Sequence, residues 1–560
     1  MLVLSALHHL SNSKPMEHTE TLEQVRGLLR GELETGTESL TTAALDGSIF
    51  TITPQAVLYP KDGADIQAVT RFMHCQAEAG LPYLSLTARG RGSDQAGGPL
   101  NDGIIVDTTR HMTQILEIGP DFVRVQPGCR YGELQAELKR HGRYLPPYPA
   151  SLEICTIGGA VANNSSGEKT VKYGDTRDYV ESLQVVLANG DEVLLHSLNP
   201  AQLEGKHYHH TFEGKVYREL IKVLEQHTVK AEHPRFQVSK NATGYCLWEV
   251  NKHNTFDLCK LFVGSQGTLG TITEIRLRTV AYPKSFGLLA AFFSNIEKAA
   301  EAVEELLILD PSALEIVDDN VIRMVQEREP GHLDNLLPKI APKIVLVIEF
   351  DDADDAVRLD KVNKAIEISN RFAQAHVQAV GEEEQSKLWN LRRGAAAIIW
   401  TGAGPKKALP IVEDGVVPVH KLAEFFKQAY ALYDRYGLEI AVWGHAGDAN
   451  LHMQPFMDLS DPIDREKIWP FVEEFHQLVI GMGGCISAEH NDGLLRAPYL
   501  QQQYGEELYS IFRNIKEIFD PHHLLNPGKK VDVALERSKT LVRHEYSMKH
   551  LVQNKELINR

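Results

Sequence analysis

The sequence predicts an α+β protein with two main domains. Its 560 residues are more than one domain usually holds. Residues 46–282 mix short strands and helices with many glycine-rich turns, and residues 283–530 alternate apolar strands with amphipathic helices. We assign residues 1–45 to a polar helical lead-in and residues 531–560 to a polar tail that has no obvious apolar stripe.

The first domain begins with a strand, a proline-bounded turn and a second strand in IFTITPQAVLYPKD. An amphipathic helix follows in DIQAVTRFMHCQAEAG and ends at Gly80. GIIVDTTR and FVRVQPG predict strands, and YGELQAELKRHG predicts a helix that ends at Gly142. The Asn-Gly pair in YVESLQVVLANGDEVLL predicts a hairpin turn between two further strands.

The second domain has strand patterns in FGLLAAFF, KIVLVIEF and EIAVWGH. Helix patterns lie between them in NIEKAAEAVEELLIL, DAVRLDKVNKAIEISNRFAQA and HKLAEFFKQAYALYDRYG. Because strands and helices alternate, we expect an open sheet that helices cover on one face.

Composition excludes several functional classes. The formal net charge of −17 argues against nucleic-acid binding, which needs a basic surface. The six cysteines form no CxxC pair, which argues against an iron–sulfur cluster or a cysteine zinc site. No apolar run has the ~18–20 residues of a membrane helix, and the start lacks the basic region of a signal peptide. We expect a cytoplasmic protein, with peripheral association at the inner membrane face left open.

Two glycine-rich segments indicate a large ligand with phosphate groups. Residues 89–98 read RGRGSDQAGG after a predicted strand, and residues 149–167 read PASLEICTIGGAVANNSSG. Glycines allow consecutive backbone N–H groups to face a phosphate, and small side chains allow close approach of a flat ring. Neither segment is the GxGxxG pattern of a nicotinamide-binding Rossmann unit.

Two histidines in HAGDANLH form the sharpest chemical motif. The glycines in this motif disfavour a helix, so we predict a strand, a Gly-Asp turn and a returning strand that bring His445 and His452 together. Two imidazoles suit a divalent transition metal, and Glu489 in SAEHNDG is the candidate third ligand. On these residues alone, a metal hydrolase or an Fe(II) oxygenase is an alternative, but it leaves the glycine-rich segments unexplained.

The order of these segments resembles a known flavoprotein family. RGRGSDQAGG, PASLEICTIGGAVANNSSG, KTVKYGD, SKNATGY and VGSQGTLGTITE resemble the FAD-binding domain of vanillyl-alcohol-oxidase/p-cresol-methylhydroxylase (PCMH) flavoproteins. HAGDANLH and SAEHNDG resemble signatures of the D-lactate, D-2-hydroxyglutarate and glycolate dehydrogenase branch. The resemblance implies a PCMH-type FAD-binding domain of two α/β subdomains and a ferredoxin-like antiparallel sheet as the substrate domain.

The resemblance also implies which residues bind FAD. We see no clear candidate for a covalent link, so noncovalent FAD is expected. The implied contacts come from both glycine-rich segments and from two later positions: Arg89, Gly90, Arg91, Gly92, Ser93, Asp94, Ser151, Thr156, Gly158, Gly159, Ala162, Asn163, Gly167, Ile272 and Asn526. The family often has glutamate where this chain has Gln266, so we expect no role that depends on a negative charge at this position.

The same resemblance assigns roles in the second domain. His445, His452 and Glu489 are the implied ligands of a divalent metal, zinc or else manganese or iron, and His490 is the implied base beside the flavin. Arg392 in LWNLRRG is the expected clamp for the substrate carboxylate, with Asn450 helping to hold the substrate. Ala488 and Asn491 stand where the family commonly has glycine, so we expect the turn in SAEHNDG to differ from that of the family.

Together these expectations describe an FAD-dependent dehydrogenase that oxidises a D-2-hydroxy acid, D-lactate first, to the 2-oxo acid by hydride transfer to flavin N5. D-2-hydroxyglutarate and glycolate are alternative substrates. Another class is a non-redox FAD-dependent transferase of the ether-lipid type, and a third is a flavin subunit that is active only with an iron–sulfur partner. The electron acceptor is left open among a quinone, a cytochrome, an electron-transfer flavoprotein and a separate iron–sulfur protein.

Overall fold

The computed structural model describes residues 15–226, 238–328, 338, 341–401 and 404–551. In this part of the chain the first half forms thirteen strands. In chain order they are β1 Glu32–Glu34, β2 Ala56–Tyr59, β3 Leu86–Arg89, β4 Ile104–Asp107, β5 Ile115–Ile118, β6 Phe122–Val125, β7 Arg143–Tyr144, β8 Val180–Val186, β9 Glu192–His196, β10 Asn251–Lys252, β11 Thr255–Phe256, β12 Thr271–Arg278 and β13 Val280–Ala281.

These strands form two sheets and two short ribbons. The first sheet has the order β1-β2-β4-β3, in which β2, β4 and β3 are parallel and β1 is an antiparallel edge. The second sheet is antiparallel with the order β5-β6-β12-β8-β9. The hairpin expected at Asn189-Gly190 is confirmed, since β8 and β9 pair on either side of it.

Nine helices pack around these two sheets in the described part of the first half. They are α1 Pro15–Leu28, α2 Thr37–Ala43, α3 Gly63–Glu78, α4 Tyr131–Arg140, α5 Ile157–Asn163, α6 Thr170–Tyr173, α7 Pro200–Tyr208, α8 Phe212–Gln226 and α9 Cys259–Phe262. The helix expected to end at Gly80 is α3, and the one expected to end at Gly142 is α4; both glycines have positive φ.

The second half of the chain forms one large antiparallel sheet. Its strands are β14 Gly287–Phe293, β15 Ala313–Asp318, β16 Ile344–Phe350, β17 Ala375–Ala379, β18 Lys407–Ala408, β19 Ile440–His445 and β20 Asn450–Met457, in the order β17-β14-β16-β15-β19-β20-β18. The helices are α10 Ile296–Leu307, α11 Asp319–Arg328, α12 Asp355–Phe372, α13 Glu382–Thr401, α14 Leu422–Tyr436, α15 Pro462–Gly481, α16 Leu500–Phe519 and α17 Leu535–Thr540.

The expectation that helices cover only one face of this sheet is wrong. In β14, Leu289 and Ala291 pack in the core that contains α10, α12, α14 and α15, whereas Leu288 and Ala290 pack with α11 and α13 on the other face. Strands buried on both faces are apolar at nearly every position, and FGLLAAFF and IVLVIEF follow that pattern apart from Glu349. The sheet is therefore the middle layer of three.

The lead-in and the tail both contribute to the sheets and cores of the protein, which their sequences did not indicate. Within the lead-in, β1 joins the first sheet as an edge strand, so this segment is not only helical. In the tail, Val542, Tyr546 and Met548 are buried in the core of the large sheet, although we saw no apolar stripe there. Helix α16, from the range assigned to the second domain, packs in the core of the first half.

No helix in the described ranges is both long and apolar enough to span a membrane.

Candidate active site

A hairpin of two central strands carries the histidine motif. As expected, β19 and β20 run antiparallel around a short turn, with His445 opposite Asn450 and Trp443 opposite His452. Paired positions in a sheet point to the same face, so His445 and His452 lie on one face, towards α13. Ala449 closes the turn with a φ of +51°, in the left-handed region.

Three histidines converge on one carboxylate oxygen. Oε1 of Glu489 lies 3.2 Å from Nε2 of His445, 3.3 Å from Nε2 of His452 and 3.8 Å from Nε2 of His490. The rings of His452 and His490 stack with their centroids 5.0 Å apart. Potential ligand atoms of Asp414, His452, Glu489 and His490 all lie within 4.8 Å of one another.

The opposite ring nitrogen of each histidine has a partner within the protein. Nδ1 of His445 lies 2.8 Å from Oε1 of Glu315, Nδ1 of His490 lies 2.9 Å from Oε1 of Glu413, and Nδ1 of His452 lies 3.1 Å from the carbonyl oxygen of Glu413. A carboxylate or carbonyl at Nδ1 fixes the tautomer that presents Nε2 as a free lone pair. The donor set therefore fits a divalent transition metal held by imidazole Nε2 atoms and one carboxylate.

A tight loop presents Glu489 and His490. The Asp414 carboxylate accepts hydrogen bonds from the backbone N–H groups of both residues, at 3.0 and 2.7 Å. Asn491 follows with a φ of +68°, a conformation that glycine adopts freely and asparagine tolerates. The loop is therefore compatible with Asn491 where relatives of the resembled branch commonly have glycine.

The charges of this cluster compensate one another. Burial opposes ionisation of Glu489, but Lys240 and His445 hold its pKa well below the ordinary value. Burial opposes protonation of His490, but Asp414 and Glu413 raise its pKa to about 9.

Arg392 and Arg393 point to different partners. Arg392 is buried on α13, and its Nε donates to Oε2 of Glu315 at 2.7 Å. Arg393 instead pairs with Glu168 of the first half and lies over the ring of Trp389. Glu315 thus connects Arg392 to the cluster, and a substrate carboxylate would have to bind Arg392 at its Nη edge.

Asn450 is fully buried and engaged within the protein. Its Nδ2 donates to Oδ1 of Asp414 and to the carbonyl oxygen of Gly415, both at 3.3 Å, and its Oδ1 accepts from Lys240 at 3.5 Å. These contacts join β20 to the loop before α14. Its role in holding substrate stays a prediction.

One elongated cavity joins the glycine-rich segments to the histidine cluster. At one end Trp443, His452, Gln454, Glu489 and His490 line this cavity. The rest of the wall includes thirteen of the fifteen residues expected to bind FAD, namely Arg89, Gly90, Arg91, Gly92, Ser93, Asp94, Ser151, Thr156, Gly158, Gly159, Ala162, Asn163 and Ile272.

The other two expected FAD residues lie behind this wall. Asn526 is buried and donates to the carbonyl oxygens of Gly98 and Gln266, at 3.0 and 2.7 Å, so it joins the first glycine-rich segment to the turn at Gln266. Gly167 packs so closely that an added Cβ would lie 2.1 Å from the carbonyl oxygen of Tyr148. Both positions shape the cavity from outside.

The polar groups of the first glycine-rich loop fit a diphosphate. The Nε of Arg91 is buried without a hydrogen-bond partner, and Arg91 lines the cavity. Asp94 instead stabilises the turn, because its Oδ1 accepts from the N–H groups of Ala96 and Gly98. Gly90 must be small, since a Cβ there would lie 2.3 Å from Oγ1 of Thr156.

Gln266 uses both ends of its amide. Its Oε1 accepts from the N–H of Gly493 at 2.9 Å, and its Nε2 donates to Oδ1 of Asn163 at 3.3 Å. An ionised glutamate could not make the second bond. The amide therefore links the FAD-side wall to the loop that carries Glu489.

Five residues next to the cluster were not singled out from the sequence: Lys240 inside SKNATGY, Ser166 inside the second glycine-rich segment, Glu315, and the consecutive Glu413 and Asp414. Glu315 was the easiest to find, because the carboxylates of Glu315 and Asp318 in the otherwise apolar strand ALEIVD need buried partners.

Two families of known proteins match this chain. Residues 54–195 match the FAD binding domain family, and residues 282–530 match the family described as FAD linked oxidases, C-terminal domain. The glycolate oxidase subunit GlcD of Bacillus subtilis is 31% identical over 85% of this chain and 88% of its own length. The chain belongs to the FAD-linked oxidase family.

Other members of this FAD-linked oxidase family differ in length. The D-2-hydroxyglutarate dehydrogenase of Pseudomonas putida is 31% identical over 91% of this chain, but the match covers 52% of that protein. The chain spans about half the length of the D-2-hydroxyglutarate dehydrogenases it matches. The D-lactate dehydrogenase of Archaeoglobus fulgidus is 28% identical over 85% of this chain and 91% of its own length.

Solved structures confirm the PCMH-type fold. The 4-ethylphenol oxidase from Gulosibacter chungangensis superposes with a TM-score of 0.69 at 14% identity and covers 94% of this chain and 99% of its own. The p-cresol methylhydroxylase gives a TM-score of 0.68 at 15% identity, covering 93% and 98%.

Proposed function

We propose that this FAD-linked oxidase is a dehydrogenase that oxidises a small D-2-hydroxy acid to the 2-oxo acid. The observation that carries the proposal is the convergence of His445, His452 and His490 on Glu489 at the end of the FAD cavity. Bound FAD supplies the hydride acceptor, and a bound divalent cation supplies Lewis acidity towards the 2-hydroxyl and carboxylate oxygens. D-lactate is the first substrate we propose, with D-2-hydroxyglutarate and glycolate as alternatives.

His445, His452 and Glu489 would hold the cation. Their Nε2 and Oε1 atoms face one another, and Glu315 and the Glu413 carbonyl fix the two imidazoles. These ligands suit zinc, manganese or iron, and the sequence does not discriminate between the three metals.

His490 would accept the proton of the substrate hydroxyl at Nε2. Its side chain is 18% exposed, compared with 4% for His445 and 7% for His452. Nδ1 is engaged by Glu413, so Nε2 is the nitrogen available in the cavity. A cation held by Glu489 would lower the proton affinity of this imidazole by charge repulsion, and would thereby allow it to act as a base.

The reaction can be tested with the flavin as its own reporter. The purified protein is made anaerobic, its visible spectrum is recorded, and D-lactate, L-lactate, D-2-hydroxyglutarate and glycolate are added separately. Bleaching by one of the proposed acids, with none by L-lactate, supports the proposal and names the substrate. A yellow protein that no hydroxy acid bleaches would favour the non-redox transferase. Turnover only after addition of an iron–sulfur protein would favour a flavin subunit.

A further inference from the structure

Lys240 is a fully buried cation that contacts the histidine cluster from the FAD-binding half. Its Nζ lies 2.9 Å from Oε2 of Glu489 and 3.5 Å from both Oδ2 of Asp448 and Oδ1 of Asn450. The Lys240 side chain has no exposed surface. Its charge is therefore screened by protein and not by water.

The two oxygens of Glu489 have different partners. Oε1 faces the three histidine Nε2 atoms, while Oε2 accepts from Nζ of Lys240 and, at 2.7 Å, from Oγ of Ser166. With Oε2 occupied in this way, one oxygen is left to bind a cation. Glu489 can then act only as a single-oxygen ligand unless one of these contacts breaks.

We propose that Lys240 is a positioning residue that acts as a resident counter-cation and weakens the binding of the catalytic metal. The inference rests on the proposed metal site. Lys240 occupies Oε2 of Glu489 and neutralises this carboxylate and Asp448 when no metal is bound. A dication at Oε1 is repelled by the buried ammonium, which moderates affinity and leaves the bound cation a stronger Lewis acid.

Removal of this charge should tighten metal binding for two reasons. Without the ammonium the dication loses a repulsive neighbour, and Glu489 and Asp448 become uncompensated buried carboxylates that a metal can neutralise. Ser166 still holds Oε2, so the carboxylate keeps part of its orientation. The loss of one orienting hydrogen bond is small beside the loss of a weakly screened charge repulsion.

The test measures Zn²⁺ affinity on the FAD-loaded protein after removal of bound metal. Zn²⁺ is titrated in competition with a chromophoric chelator into wild type, Lys240→Met, Lys240→Arg and Lys530→Met. Lys530 is the matched control, because it is equally buried and pairs with Asp492 at 2.7 Å, a carboxylate outside the proposed ligands. We expect Lys240→Met to bind Zn²⁺ at least about tenfold more tightly, while Lys240→Arg and Lys530→Met stay close to wild type.

Two further variants keep the test decisive. Lys240→Gln removes the charge but keeps a hydrogen-bond donor for Glu489. It replaces Lys240→Met in the test if the methionine variant does not fold, and it should also tighten Zn²⁺ binding. Ser166→Ala removes only an orienting bond and should weaken Zn²⁺ binding by roughly a few-fold, a smaller change of the opposite sign.

Each outcome has one meaning. Unchanged or weaker Zn²⁺ binding in the neutral Lys240 variants overturns the role of Lys240 and leaves the proposed metal site intact. If wild type itself binds no Zn²⁺, the metal site and this inference fall together, although flavin bleaching by a hydroxy acid would still support dehydrogenase activity.

Discussion

The Nε of Arg392 lies 2.7 Å from Oε2 of Glu315. The other oxygen of this carboxylate lies 2.8 Å from Nδ1 of His445. One buried glutamate thus orients both the proposed substrate clamp and a proposed metal ligand. Substrate and metal therefore bind to groups that share a common support.

Glu315→Gln should affect both functions at once. Arg392 and His445 both donate to Glu315, and an amide offers only one acceptor. We expect kcat/KM for the hydroxy acid to fall roughly 10- to 100-fold, with weaker Zn²⁺ binding. Steady-state kinetics and metal titration check both effects. Glu349→Gln on the adjacent strand is the control, because Glu349 is also buried and paired with Lys169 but lies outside the cluster.

His490→Gln should slow flavin reduction without loss of FAD. Removal of a general base usually costs roughly 10²- to 10⁴-fold, and the Gln amide can still donate to the Glu413 carboxylate that Nδ1 of His490 contacts. Anaerobic stopped-flow absorbance measures the reduction rate, and the oxidised spectrum measures FAD content. Reduction at the wild-type rate in a fully loaded variant would exclude His490 as the base.

Metal removal should abolish reduction by the substrate but keep the flavin bound. Of the proposed ligands, His452 and Glu489 line the cavity and His445 lies next to Glu489, while the residues expected to bind FAD line the cavity elsewhere. Dialysis against a strong chelator should give a yellow protein that the hydroxy acid no longer bleaches, and Zn²⁺ or Mn²⁺ should restore bleaching. Full bleaching after verified metal loss contradicts a metal-assisted mechanism.

Acid should destabilise the fold partly through His476. Burial lowers its pKa from 6.5 to about 3, with a further contribution from Arg496. Below pH 6.5 the unfolded chain therefore takes up a proton that the folded protein excludes, so this group reduces stability as pH falls from 6.5 towards 3.

His476→Phe should reduce that pH dependence. Neither ring nitrogen of His476 has a hydrogen-bond partner, and the ring packs edge-on against Tyr499, so phenylalanine loses no polar contact. Urea midpoints at about pH 7.5 and about pH 5 should differ less in the variant than in wild type. His141→Gln, at an exposed histidine, should keep the wild-type difference.

Removal of the segment after residue 540 should weaken FAD binding although its described residues, 541–551, do not line the cavity. The hydroxyl of Tyr546 donates to the carbonyl oxygen of Gly47 at 2.8 Å. The N–H of Gly47 in turn donates to the carbonyl oxygen of Gly92 at 3.0 Å. Arg543 also binds the carbonyl of Ser48. A chain shortened after residue 540 should have an FAD Kd roughly tenfold higher, and Tyr546→Phe a smaller increase, by flavin fluorescence titration.

The sequence was most informative where a feature depends on neighbouring residues. The strand–turn–strand arrangement of His445 and His452 follows from glycines within eight residues, and local turn chemistry decides such a hairpin. Glycine-rich segments likewise indicated the wall of the FAD cavity, because small residues at close spacing have few other uses.

Features that depend on distant pairing were missed. Lys240 and Glu489 are 249 residues apart, and Glu315 and His445 are 130 apart, so only tertiary structure brings these charges together. The two-sided burial of the large sheet was also missed, although its uniformly apolar strands carried that signal. The expectation of one covered face relied on the alternation of strands and helices along the chain, and not on the hydrophobic pattern within each strand.

The proposed metal ligands lie partly on strands of a sheet and partly on a loop. His445 and His452 lie on paired strands inside the seven-stranded sheet, whereas Glu489 and His490 lie on a loop held by the carboxylate of Asp414. In hydrogen–deuterium exchange, the amides of the hairpin should therefore exchange slowly whether or not an ion is present. Departure of the ion should accelerate exchange in residues 485–493 alone, and metal occupancy would then be readable as the lifetime of one loop.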